Sequence, residues 1–155
     1  MERRKQRKQA APKRNKDMKK DLPLNLVEDI AIAVVLESES PTAKVWNVYL
    51  VNEKDIPLKN VLVSSKGYGE KDGRKVVTTT LRHFIGDVAG SSAQKIEAID
   101  VQVFGLTNEY WLSYYIDGTI YDKKYIFLPD SIVDENLIKI PIVNKAGVMI
   151  GGTNA

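Results

Sequence analysis

The segment Lys66-Gly67-Tyr68-Gly69-Glu70-Lys71-Asp72-Gly73 has the glycine density of a phosphate-cradling loop. A dinucleotide fingerprint needs its third glycine at position 72, where an aspartate stands, and Gly73 comes one residue late. A Walker loop needs Gly-Lys followed by Ser or Thr, whereas the chain reads Gly73-Arg74-Lys75. Both patterns fail, and a flexible hairpin loop is the better reading. His83 is the only histidine. Acyl transfer through it would require a serine on a nucleophile elbow, and none is present. A metal site would require further imidazoles or a close acidic cluster, and neither accompanies it. Thr79, Thr80, Arg82 and His83 could line a polar strand face, and a small-molecule enzyme would need a pocket around Arg82 and His83. The acidic pairs Glu28-Asp29 and Asp134-Glu135 are adjacent, so they point to opposite strand faces or lie in loops and assign no acid and base roles. The expectation is no catalytic residue, no metal ligand and no cofactor.

Binding is better represented. Residues 1–20 carry Arg3, Arg4, Lys5, Arg7, Lys8, Lys13, Arg14, Lys16, Lys19 and Lys20 against only Glu2 and Asp17, a net charge of +8. The other 135 residues carry 13 basic and 18 acidic groups, a net charge of −5. The basic segment has only Met1 and Met18 as sizeable apolar side chains, too little burial to offset the entropy of ordering. It reads as a disordered arm whose ten cations suit a nucleic-acid backbone, RNA favoured, through salt-sensitive counterion release. A solubilising tail with no partner, or an arm resting on the acidic body until a stronger polyanion displaces it, fits the same charges.

At 155 residues the chain has room for one domain, placed at 21–150 and followed by a frayed tail at 151–155. There is no cysteine, which excludes disulfides, thiol nucleophiles and Cys-type zinc sites and suits a reducing cytoplasm. No apolar run approaches the roughly 18–20 residues of a membrane helix. The basic N-terminus leads into Ala10-Ala11-Pro12 rather than a signal-peptide core, so a soluble cytoplasmic protein without membrane contact is expected.

Periodicity predicts strands throughout the body. Asp29–Glu37 is a continuous β-branched run that reads as a buried strand, and Val45–Asn52 pairs with it across a polar turn. Further strands are expected at Leu58–Ser65, Val76–Ile85, Lys95–Phe104 (its start compatible with a short helix) and Asn136–Val143. The strongest signal is Asp117-Gly118 between Glu109–Ile116 and Thr119–Leu128, because a type I′ turn needs positive φ at both central residues. The fold class predicted is mainly β, an antiparallel immunoglobulin-like sandwich, with a small β-barrel as the alternative.

A two-residue turn fixes register, so the faces of this hairpin can be written down. One carries Tyr110, Leu112, Tyr114, Ile116, Tyr121 and Tyr125 and should meet the core, with Lys123 its exception. The other carries Trp111, Ser113, Tyr115, Ile120, Asp122, Lys124 and Ile126. Trp111 should sit opposite Lys124, where a cation–π contact can form. Trp111, Tyr115 and Lys124 are therefore the candidate partner-binding residues, either stacking bases or anchoring a protein at the 109–128 hairpin; packing of both aromatics under a loop or the second sheet is the alternative.

The runs Asp21–Asp29, Trp46–Leu50, Val63–Gly69, Thr80–Phe84 and Tyr121–Phe127 resemble a family of small Bacteroidota proteins, over most of residues 21–150. Its members sometimes carry the label phenylalanyl-tRNA synthetase alpha subunit. A class II synthetase core needs a far larger sheet and an arginine constellation for ATP, so the resemblance implies no such activity here and supplies no site residues. The functional expectation is a non-enzymatic nucleic-acid-associated adaptor, its arm gripping phosphate and its body docking a partner. The competing expectation is a protein-interaction module working through Trp111 and Tyr115 without nucleic acid.

Overall fold

In a computed structural model, which describes residues 25–152, ten strands form two antiparallel sheets. They are β1 Ile30–Glu39, β2 Lys44–Asn52, β3 Leu58–Lys71, β4 Arg74–Val77, β5 Leu81–Val88, β6 Ser92–Ile99, β7 Thr107–Ile116, β8 Thr119–Phe127, β9 Ile138–Lys139 and β10 Ala146–Gly151. One sheet runs β9-β10-β1-β2-β6; in the other β8 and β7 lead to β3, whose far edge pairs with both β5 and β4. Strands β1, β2 and β6 thus take the A, B and E places of an immunoglobulin-like sandwich. Strands β3, β7 and β8 take the C, F and G places, with β5 and β4 added beside β3. No barrel closes between the sheets. Among the described residues no helix is long and apolar enough to cross a membrane.

The inner faces supply one core. Ile30, Ile32, Val34, Val48 and Leu50 from the first sheet meet Val61, Val63, Leu112, Tyr114, Tyr125 and Phe127 from the second, all at 1% exposure or less. The buried Tyr125 hydroxyl ties the layers by donating to the Ile30 carbonyl at 2.7 Å. Strand β1 is buried, as its unbroken apolar run predicts, and on both faces. Its outward Ala31, Ala33 and Val35 form a second cluster with Val51 and Ile140, which the segment between β9 and β10 lays over the sheet.

Several predicted boundaries move. Strand β3 continues six residues beyond Ser65, because Asp72 and Gly73, at φ 54° and 76°, make a two-residue turn into β4 and straighten the glycine-rich segment into a ladder. Val76–Ile85 is two strands, interrupted at 78–80 where β4 ends and β5 begins. Lys95–Phe104 splits into the end of β6 and a 3₁₀ turn at Val101–Val103 capped by the Asp100 side chain. The predicted strand Asn136–Val143 survives only as β9. Ile142 at φ 70° turns the chain, and the longer pairing with β1 is made by β10 instead. The ten arm cations and the 153–155 end of the predicted tail lie outside the described residues.

Candidate binding surface

The β7–β8 register is the predicted one: Trp111 faces Lys124, Tyr115 faces Ile120 and Tyr114 faces Tyr121. Asp117 and Gly118 supply the required positive φ, at 49° and 77°. The alternation that buries Tyr110, Leu112 and Tyr114 turns Trp111 and Tyr115 outward, 45% and 37% exposed. Among the described residues neither aromatic is roofed by a loop or by the other sheet.

Strand order widens this surface beyond the hairpin. Ser64 of β3 is the cross-strand partner of both Trp111 and Arg82, and Leu62 that of both Ser113 and Phe84. One row therefore reads Arg82, Ser64, Trp111, Lys124 and the next Phe84, Leu62, Ser113, Asp122. Phe84 is 72% exposed. The outer face of the second sheet is thus an apolar and aromatic floor of Leu62, Phe84, Trp111, Tyr115 and Ile120 with cations along it. At a strand spacing of about 4.8 Å, Arg82 and Lys124 stand about 14 Å apart on either side of the Ser64–Trp111 pair.

The Lys124 ammonium lies 4.9 Å from the Trp111 ring centroid and 4.0 Å from Glu109 Oε1. Glu109 Oε1 also accepts the Tyr68 hydroxyl at 3.3 Å, and the Lys66 ammonium lies 5.8 Å from the Tyr68 ring. Glu109 thus lies between Lys124 and Tyr68, and burial and then the Glu109 charge push the Tyr68 hydroxyl up. Arg82 is exposed, with no hydrogen bond or ion pair engaging its side chain among the described residues. At the β8 margin, Asn25 Nδ2 donates to the Ile120 carbonyl at 2.9 Å, which sets the first described residue at the edge of this sheet.

Trp111 and Lys124 are brought together, and Tyr115 shares their face four residues along β7. Arg82 and His83 are not brought together, because consecutive strand residues point to opposite faces. His83 points inward, where its Nε2 lies 2.7 Å from Glu97 Oε1. The same oxygen accepts Ser65 Oγ at 2.9 Å, and Glu97 Oε2 accepts the Tyr110 hydroxyl at 2.9 Å. Burial first, and the carboxylate second, push the Tyr110 hydroxyl up and keep it a neutral donor. Serine donates here to the carboxylate rather than to the imidazole, so this is not the relay of an activated nucleophile. The histidine thus has an acidic partner that sequence reading did not supply. Glu97 is 14 residues away, on the first sheet, and only the crossing from β5 to β6 brings the two together.

Comparison with protein-family models, with curated proteins and with solved structures returned no match.

Proposed function

We propose that this chain is a nucleic-acid-binding module, RNA favoured, that binds rather than catalyses. In this reading the outer face of the second sheet stacks unpaired bases while the basic arm holds phosphates. The observation that carries it is Trp111, half exposed and capped by Lys124 in the middle of a face whose β8 edge holds Asn25. An aromatic platform with adjacent cations suits single strands, because every base offers a π-face and every linkage a charge. The 24 residues preceding Asn25 can reach at most about 80 Å from the β8 edge, so the arm can follow a strand lying anywhere on the face.

The test is binding of a single-stranded oligouridylate, a structured RNA and a DNA duplex across a salt series. The full chain, a version starting at Asp21 and Trp111→Ala are compared. The expected result is preference for the single strand, a steep salt slope that flattens without the arm, and a loss on Trp111→Ala of about 1–3 kcal/mol. Absence of binding by the full chain at moderate salt refutes the proposal. A second reading is favoured by the aliphatic content of the face, Leu62 and Ile120 at 41% and 47% exposure, which suits a protein partner. It predicts salt-tolerant binding to a protein that Trp111→Ala abolishes and arm removal leaves unchanged.

A further inference from the structure

A cleft of about 270 Å³ opens between the two sheets at the end of the sandwich where β3 outruns β5. Its polar lining includes Glu97, Asn108, Asp100, Thr78 and Lys66; Leu81, Ile99 and Val103 line it with hydrocarbon. The volume falls just below the roughly 300–1,000 Å³ of drug-sized sites, so a compact ligand is indicated.

Two polar groups of the lining, Glu97 and Asn108, are acceptors with capacity left. A carboxylate offers about four acceptor positions, and Glu97 uses three of them, for Ser65, His83 and Tyr110. Its side chain is only 14% exposed, and its one basic partner among the described residues is His83. A carboxylate so placed lacks a permanent counter-ion. Asn108 is 6% exposed and gives its Nδ2 to the Val103 and Leu106 carbonyls, which fixes its amide orientation. Asn108 Oδ1 takes no hydrogen bond among the described residues. Gly67 lies across from it: a Cβ at that position would come within 3.2 Å of Oδ1 and 3.3 Å of Thr78 Cγ2. The missing side chain leaves the oxygen open to the cleft. Lys66 does not neutralise the site, because its ammonium sits over the Tyr68 ring, and Asp100 adds a second negative charge to the lining.

We propose that this cleft binds the head of a small organic cation, an alkylguanidinium or alkylammonium group, on Glu97 and Asn108 Oδ1, with the alkyl stem against Leu81, Ile99 and Val103. Both heads offer several donors and a permanent positive charge, which a neutral or anionic ligand would not bring to Glu97. The site is independent of the nucleic-acid reading, since it uses the interior of the sandwich rather than its outer face.

The experiment titrates the isotopically labelled full chain with butylguanidinium, butylammonium and, as a neutral isostere, butylurea, following amide chemical shifts. The cations are expected to shift Gly67, Glu97 and Asn108, with butylurea binding at least tenfold more weakly. Glu97→Gln should raise Kd at least tenfold. Leu81→Trp, which fills the exposed side of the cleft and touches none of its hydrogen bonds, should abolish the shifts while leaving the fold's spectrum intact. Equal binding of butylurea, or unchanged cation affinity in folded Leu81→Trp, overturns the proposal, as does an absence of shifts at millimolar cation. The cation can come from outside the chain or from the arm's own Lys and Arg. A nitroxide on Ala10→Cys, then the only thiol, distinguishes these: broadening of the cleft amides assigns the occupant to the arm, and its absence with probe binding intact assigns it to an external ligand.

Discussion

Glu37→Gln tests the polar lock that fastens the segment preceding β10 to the first sheet. Glu37 accepts Asn47 Nδ2 at 2.9 Å, the Tyr49 hydroxyl at 2.5 Å and the Lys145 ammonium. The Asn47, Lys145 and Tyr49 hydrogen bonds, in that order, lower its carboxyl from 4.5 to about 2, and the Lys145 charge adds to them. At about 1.4 kcal/mol per unit this shift corresponds to at most about 3.5 kcal/mol. Glu37 is 23% exposed and Lys145 44%, so solvent screening brings the contribution to about 1–2 kcal/mol. A depressed folded-state pKa stabilises fully above the unfolded value. That stabilisation drains away as pH falls from 4.5 towards 2, where the unfolded chain binds a proton that the folded one refuses. Tyr49 mirrors it. Its hydrogen bond to Glu37 first, then burial, raise the hydroxyl to about 12, so its share is present below pH 10 and is lost as pH rises towards 12. Urea melts followed by tryptophan fluorescence should show Glu37→Gln costing about 1–2 kcal/mol at pH 7 with an unchanged m-value. The difference should shrink towards zero near pH 2. A loss that is independent of pH, or below about 0.3 kcal/mol at pH 7, would rule out a stabilising Glu37 carboxylate.

Two further perturbations probe the core. Tyr114 and Tyr125 are both fully buried, but the Tyr125 hydroxyl reaches the Ile30 carbonyl, whereas the Tyr114 hydroxyl has no hydrogen-bond partner among the described residues. Tyr125→Phe should cost about 1–2 kcal/mol and Tyr114→Phe nothing or a slight gain, read from paired urea melts. Gly147→Ala would place a Cβ 2.5 Å from the Val34 carbonyl oxygen and 2.9 Å from Ile140 Cγ1, so β10 must shift. Thermal unfolding should report a loss of about 2–3 kcal/mol, with faster amide exchange along β10.

What could be read from the sequence was what is local. The Asp117-Gly118 turn fixed every pair of the hairpin because a two-residue loop leaves no freedom of register. The identical signal at Asp72-Gly73 was masked by Gly67 and Gly69, whose density suggested a loop although both lie within β3. The C-terminal pairing was harder still. Asn136–Val143 has the better strand composition, yet Gly147 is what lets β10 approach β1, and a glycine gives no periodic signal. The candidate surface divides the same way. Trp111, Tyr115 and Lys124 share one hairpin, whereas Arg82, Leu62 and Phe84 join them only through β3, which pairs with strands both near and far along the chain. The Glu97 site needs the crossing between sheets and leaves no mark on either strand's own pattern.

The nucleic-acid reading turns on Trp111 as a base-stacking platform. Its most direct test is tryptophan fluorescence of the full chain titrated with oligouridylate at moderate salt, beside Trp111→Phe and Trp111→Ala. Stacking predicts strong quenching in the native chain, no quenching but near-native affinity in Trp111→Phe, and weakened binding in Trp111→Ala. Binding with no change in the emission of the native chain, or quenching that persists in Trp111→Phe, would contradict it.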